Sequence, residues 1–147
     1  MTLDEEECWA LLATARHGVL GTVHPQRGVD AVPVVFAVLP NATAGAEARP
    51  SVVIPLDTVK PKRSARLRRL ANIEGDARCV LLVDRYDEDW SQLWWVRLHA
   101  VATASSSDAS EAVLGALSER YPQYRPPGSV VAVMTLAPTE LTGWRAS

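Results

Sequence analysis

Apolar residues recur along this chain either at every second position or at three- and four-residue spacing, which separates strands from helices by period alone. Thr2 and Glu5 form a capping-box pair, and Leu3, Trp9, Leu12 and Ala13 share one helical face, predicting an amphipathic helix over residues 3–15. Residues 18–23 read as a strand. Pro25-Gln26-Arg27-Gly28 is turn chemistry, and residues 29–39 read as a second, long strand. Pro33 inside it points to an edge or a bulge, because proline cannot donate to a ladder. The small, polar residues 40–50 read as a hairpin loop, and residues 51–56 as a third strand.

A helix is predicted over residues 62–74, with Leu67, Leu70 and Ala71 inward and the arginines outward. Strands follow over 78–84 and 93–104. Asp108 and Glu111 are expected to cap a third helix, on which Val113, Leu114, Leu117 and Tyr121 recur at helical spacing before Pro122 stops it. Residues 129–136 form a sixth strand that 138–144 can extend. Six strands joined mostly by short turns, with three helices, predict a mainly β (α+β) fold: a six-stranded antiparallel barrel with three peripheral helices.

Composition narrows the class. At 147 residues, 48% hydrophobic and 22% charged, the chain reads as one globular domain, 1–147. A net charge of −2 argues against a general nucleic-acid binder. No apolar run approaches the roughly 18–20 residues of a membrane span, and the acidic start Asp4-Glu5-Glu6-Glu7 is unlike a secretory leader. A cytoplasmic protein without a membrane partner is therefore expected. Cys8 and Cys79, far apart and in no paired motif, read as reduced, buried thiols, and no metal site is expected.

Charge is concentrated in one place. The run Lys60-Pro61-Lys62-Arg63-Ser64-Ala65-Arg66-Leu67-Arg68-Arg69 holds both lysines and six of the 15 basic residues, with no acid. It follows a strand and opens a helix, where free N–H groups and the helix dipole favour an anion. Pro61 stiffens the first turn between the lysines, and Asp57 and Thr58 stand just before them. Neither a P-loop nor a dinucleotide fingerprint is present, so a phosphate held by side chains is one reading and a solvated arginine-rich face is the other.

Three of the five tryptophans lie within Trp90–Trp95, on a loop entering a strand. Period two puts Trp94, Val96 and Leu98 on one face and Trp95, Arg97 and His99 on the other. The second set presents an aromatic plate, a cation and an imidazole, suited to a planar anionic ligand or to a subunit interface. The acidic stretch Asp84–Asp89 lacks calcium-loop spacing and reads as a solvated loop. His17, His24 and His99 have no nucleophile placed by spacing, and no catalytic side chain is assigned. An enzyme built this way leaves its chemistry to a bound cofactor.

Taken in order, three segments resemble the pyridoxamine-phosphate-oxidase-like split-barrel proteins, and among them the small deazaflavin (coenzyme F420)-dependent oxidoreductases. They are Val32-Pro33-Val34-Val35-Phe36, Asp57-Thr58-Val59-Lys60-Pro61-Lys62-Arg63 and Leu67-Arg68-Arg69-Leu70-Ala71-Asn72-Ile73. The stretch from Val83 to Trp90, running into Leu93-Trp94-Trp95-Val96-Arg97, resembles one subgroup. The resemblance implies an FMN-binding-like split barrel that forms a homodimer with cofactor sites at the interface. It implies a deazaflavin or isoalloxazine ring against Val32, Pro33 and Val34, and a cofactor phosphate near Lys60, Lys62, Arg63 and Thr58. Trp95, Arg97 and Trp144 are the remaining cofactor-site candidates. The implied activity is hydride transfer from reduced F420 to an electron-poor small molecule; FMN in the same fold, or a carrier that binds without turnover, are the alternatives. Two departures stand out: Asp76-Ala77-Arg78 where relatives often have Asp-Pro-Arg, and Ala100 where many have glycine.

Overall fold

The computed structural model describes residues 1–40, 49–57, 64–106 and 110–147. The elements run α1 (Glu5–Thr14), β1 (Gly18–His24), β2 (Gly28–Val34), β3 (Ala37–Leu39), β4 (Ser51–Asp57), α2 (Ser64–Gly75), β5 (Arg78–Arg85), β6 (Trp94–Ser106), α3 (Glu111–Arg120) and β7 (Val130–Arg145). Short 3₁₀ turns stand at Trp90–Gln92 and Pro122–Tyr124.

Seven strands, not six, form one sheet in the order β2-β1-β5-β6-β7-β4-β3, and every pairing is antiparallel. The extra strand arises because the expected long strand over 29–39 breaks at Val35 and Phe36. The hydroxyl of Tyr121 takes over at the break: it accepts from the Phe36 N–H at 3.3 Å and lies 2.9 Å from the Phe36 carbonyl. Phe36 is thereby satisfied outside a ladder, and the chain crosses from one sheet edge to the other. The two edges are joined by only two residues, so the sheet rolls until they meet at this corner. Among the described residues no hydrogen-bonded ladder closes it. Pro33 does lie on an edge strand, as its missing N–H requires.

The inner face of the roll carries the main core. Leu20, Leu81, Val83, Val96, Leu98, Ile54, Met134 and Leu136 are buried there, with Cys8 and Leu12 of α1 and Ile73 of α2 packed among them. Trp94, Val96 and Leu98 thus face inward as period two predicts. On α1 it is Cys8 and Leu12 that are buried, while Ala13 is exposed. Thr2 does not cap α1, because it bridges to Trp144 in extended pairing; Asp4 caps instead, accepting from the Glu7 N–H at 2.8 Å. Close approach fixes this docking: a Cβ on Gly143 of β7 would stand 2.6 Å from the Cys8 Sγ.

On α2, Ile73 and Asn72 are buried and Ala71 is exposed. Ser110, rather than Asp108, caps α3 by accepting from the Val113 N–H at 3.3 Å. The expected loop over 41–48 and Asp108 lie outside the described residues. The 129–136 and 138–144 segments are one strand, with a register shift opposite His99 and Ala100 that leaves Thr139 as the extra residue beside Pro138.

The outer face divides in two. Over β3, β4 and β7 it is covered by α3, and Ala37, Val53 and Val133 pack with Leu117 and Tyr124 in a second core. Over β2, β1, β5 and β6 no described element covers it. There Val29 (66%), Val19 (40%), Leu82 (41%) and Val101 (40%) remain exposed. Among the described residues no helix is long and apolar enough to cross a membrane.

Candidate functional site

Register decides which candidate residues meet. Trp95 pairs with Trp144 and Arg97 with Thr142 across β6 and β7, while Leu82 and Asp84 of β5 pair with Arg97 and Trp95 on the other side. All of these side chains project outward, because their neighbours Val96, Leu98, Leu81 and Val83 fill the core. The result is a surface groove of about 360 Å3 lined by Leu82, Asp84, Trp95, Arg97 and Trp144 of the strands together with Arg85, Tyr86, Leu93 and Trp94. Trp144 is held in place by its ladder to Trp95 and by the bridge to Thr2. Backbone bonds from Leu3 N–H to the Gly143 carbonyl (3.0 Å) and from Arg145 N–H to the Met1 carbonyl (3.0 Å) flank it.

The guanidinium of Arg97 lies over the Trp95 ring, 5.1 Å from its centroid. This cation–π contact fixes the charge without consuming its N–H donors. Among the described residues Arg97 has no ion pair, whereas Arg85 is engaged by Asp87 at 3.4 Å. The Thr142 hydroxyl, on the strand opposite, is shielded from water and also has no partner among the described residues.

The loop before β6 is built by its acids. Asp87 accepts from the Asp89 N–H at 2.8 Å, and Asp89 accepts from the Ser91 hydroxyl (2.7 Å) and N–H (3.1 Å), capping the 3₁₀ turn. The Ser91 hydroxyl above all holds the Asp89 carboxyl below its usual range. These carboxylates shape the entry to the groove, and their caps agree with the solvated loop expected from sequence.

The remaining candidates are dispersed. On edge strand β2, Val34 is buried and Val32 packs against the same core, so only Pro33 shows its side chain to the outer face. Pro33 nevertheless belongs to the groove's row: Pro33 pairs with Val19, Val19 with Leu82, and Leu82 with Arg97. Three strand spacings, about 14 Å, separate Pro33 from Arg97 along that row. Thr58, Lys60, Lys62 and Arg63 lie outside the described residues, between the end of β4 and the start of α2.

Sequence reasoning missed how α2 is tied down. The buried Asn72 amide donates to the Thr22 hydroxyl and to the Asp30 carboxylate, each at 3.0 Å, and Arg27 grips the same carboxylate through two nitrogens. The Asn72 hydrogen bond is the main reason the Asp30 carboxyl sits below its ordinary value, with Arg27 adding to it. An asparagine inside an otherwise alternating arginine–leucine helix was the available signal, since such an amide needs a partner when buried. The cysteines are free and buried as expected, and burial pushes the Cys79 thiol up to about 11.

A rolled antiparallel sheet whose two edges share a two-residue link, with an aromatic and arginine-lined groove on its uncovered face, defines a β-fold suited to holding a flat ligand. The family model for pyridoxamine 5'-phosphate oxidase matches residues 4–145, and the chain belongs to that family. Its fold is shared with the FAD binding protein of Mycobacterium smegmatis (TM-score 0.66, 20% identity, 99% of this chain and 98% of that one). A conserved hypothetical protein of Mycobacterium tuberculosis is also similar (TM-score 0.72, 18% identity, 98% and 86%). So is the heme storage protein of Vibrio cholerae (TM-score 0.61, 14% identity, 93% and 92%). No match appears among curated protein sequences.

Proposed function

We propose that this protein is an F420-dependent oxidoreductase, acting as a homodimer that passes a hydride from the reduced deazaflavin to an electron-poor small molecule. The observation that carries the reading is the gathering of Trp95, Arg97 and Trp144 in one groove, on the same cross-strand row as Pro33. A flat, apolar lining fits the face of a tricyclic ring. The resemblance and the family match support a flavin-type ligand, and so does the likeness to the FAD binding protein of Mycobacterium smegmatis.

When bound, the deazaflavin supplies the hydride equivalent. This chain's residues bind, orient and exclude water. Lys60, Lys62, Arg63 and Thr58 would hold the cofactor phosphate. Val32, Pro33 and Val34 would provide the strand edge for its ring. Trp95, Arg97 and Trp144 wall the opposite side, and a second copy of the chain closes over the outer face. With no side-chain acid or base assigned, catalysis is positioning.

Parallel titration of the protein with F420 and with FMN tests this. F420 is expected to bind more tightly, and each charge-assisted phosphate contact contributes about 1.5–3 kcal/mol, so losing both lysines weakens binding by about two to four orders of magnitude. Equal affinity in the native chain, Lys60→Ala and Lys62→Ala overturns the phosphate assignment. Tighter binding of FMN turns the reading to an FMN-dependent oxidoreductase. F420 binding without turnover of electron-poor compounds leaves a carrier.

A further inference from the structure

We infer that the groove between β5, β6 and β7 is a binding subsite for a flat aromatic carboxylate, and that Arg97 is its specificity-determining residue. As the acceptor-substrate subsite it rests on the oxidoreductase reading; as a binding site it does not. Three observations converge on it.

First, the walls are planar and apolar. Trp95, Trp144, Leu93 and Leu82 line a space of about 360 Å3, at the small end of the roughly 300–1,000 Å3 typical of ligand clefts. A one- or two-ring ligand suits it better than a whole dinucleotide. Second, Arg97 is parked on the Trp95 ring at 5.1 Å with no acceptor among the described residues. Its planar fork of donors matches a carboxylate in two-point geometry, which a lysine would not. Third, Arg85, the other arginine lining the groove, has a carboxylate partner in Asp87 at 3.4 Å, whereas Arg97 has none among the described residues.

One group opposes an anion. Asp84 lines the same groove, two residues along β5 from Leu82 and therefore diagonal to Arg97. Its carboxylate repels a ligand carboxylate and so orients it: the charged end lies toward Arg97, the aromatic end between the tryptophans. A neutral ligand of the same shape feels neither effect. Charge discrimination, more than affinity alone, is therefore the signature of this subsite.

The probes are 2-naphthoate and its neutral counterpart 2-naphthamide, titrated against the protein without cofactor and read by quenching of tryptophan fluorescence. The native chain is expected to bind the acid about tenfold or more tightly than the amide. Arg97→Gln is expected to abolish that preference, and Asp84→Asn to enlarge it severalfold. Both side chains are exposed, and unchanged melting temperatures check that the variants fold. Equal binding of acid and amide, or an acid preference that survives in Arg97→Gln, overturns the inference. Naphthoate discrimination with no F420 or FMN binding sinks the cofactor reading alone, and the reverse result sinks this one alone.

Discussion

Gly143 shows how little room the sheet leaves around the residues that hold Trp144. A methyl group there would meet the Cys8 Sγ at 2.6 Å and the Trp95 carbonyl at 3.2 Å, with the Leu3 side chain also at 3.2 Å. Gly143→Ala is expected to destabilise by about 1–3 kcal/mol through overpacking, measured by urea denaturation, and Cys8→Ala in the same chain should recover part of the loss. An equal loss in the double variant would place the strain at the Trp95 backbone instead. A second residue-scale effect is electrostatic. Asp76 is held down to about 2 from an ordinary 3.8, first by the Arg78 side chain and then by the Arg78 N–H. A lowered native pKa means the contribution is complete above the ordinary value and disappears as pH falls toward about 2. Asp76→Asn should therefore melt below the native chain at pH 7 and converge with it near pH 2, a small difference that salt reduces because the pair is exposed. This pair spans Ala77, so the turn between α2 and β5 is held by a side chain.

Elements were legible wherever period and caps agree, and illegible where a distant side chain decides. The inward set Trp94, Val96 and Leu98 follows from alternation alone, because each step along a strand reverses the side chain. The division of β2 from β3 does not. It depends on Tyr121, 85 residues away, whose hydroxyl serves the Phe36 backbone and also lies 2.7 Å from the Arg16 carbonyl. Helical spacing places Tyr121 on the apolar side of α3 but cannot announce that its hydroxyl replaces a ladder. Tyr121→Phe is expected to cost about 1–3 kcal/mol and to raise hydrogen exchange at the Phe36 amide before the rest of the sheet. Exchange there no faster than in the native chain would assign the corner to packing alone. The cap of α1 misleads for a similar reason: Thr2 satisfies the capping pattern, yet its pairing with Trp144 leaves the role to Asp4. The groove was half legible. Alternation turned Trp95 and Arg97 to one face, but only the β6–β7 register sets Trp144 opposite Trp95.

At the scale of the molecule, the sheet has two apolar faces and helices enough to cover one and a half. α3 covers the β3–β4–β7 portion of the outer face, and its Leu117 is fully buried there. The β2–β1–β5–β6 portion keeps Val19, Val29, Leu82 and Val101 exposed in adjacent strands, a contiguous patch of the kind that marks an association surface. A second copy of the chain is the proposed occupant, since an isologous contact sets the same patch against itself. Val19 lies between Pro33 and Leu82 on the row that ends at Arg97, so this contact would bring each copy's edge strand toward its partner's groove. Val19→Glu places a charge at the centre of the patch without entering either core. Sedimentation equilibrium is expected to show a dimer for the native chain and a monomer for Val19→Glu, with the melting temperature of the native chain alone rising with concentration. Cofactor affinity should fall together with association, because the proposed sites lie between copies. A Val19→Glu monomer that binds cofactor as tightly as the native chain would place the whole site within one protomer, and a native chain that sediments as a monomer at all concentrations would remove the interface itself.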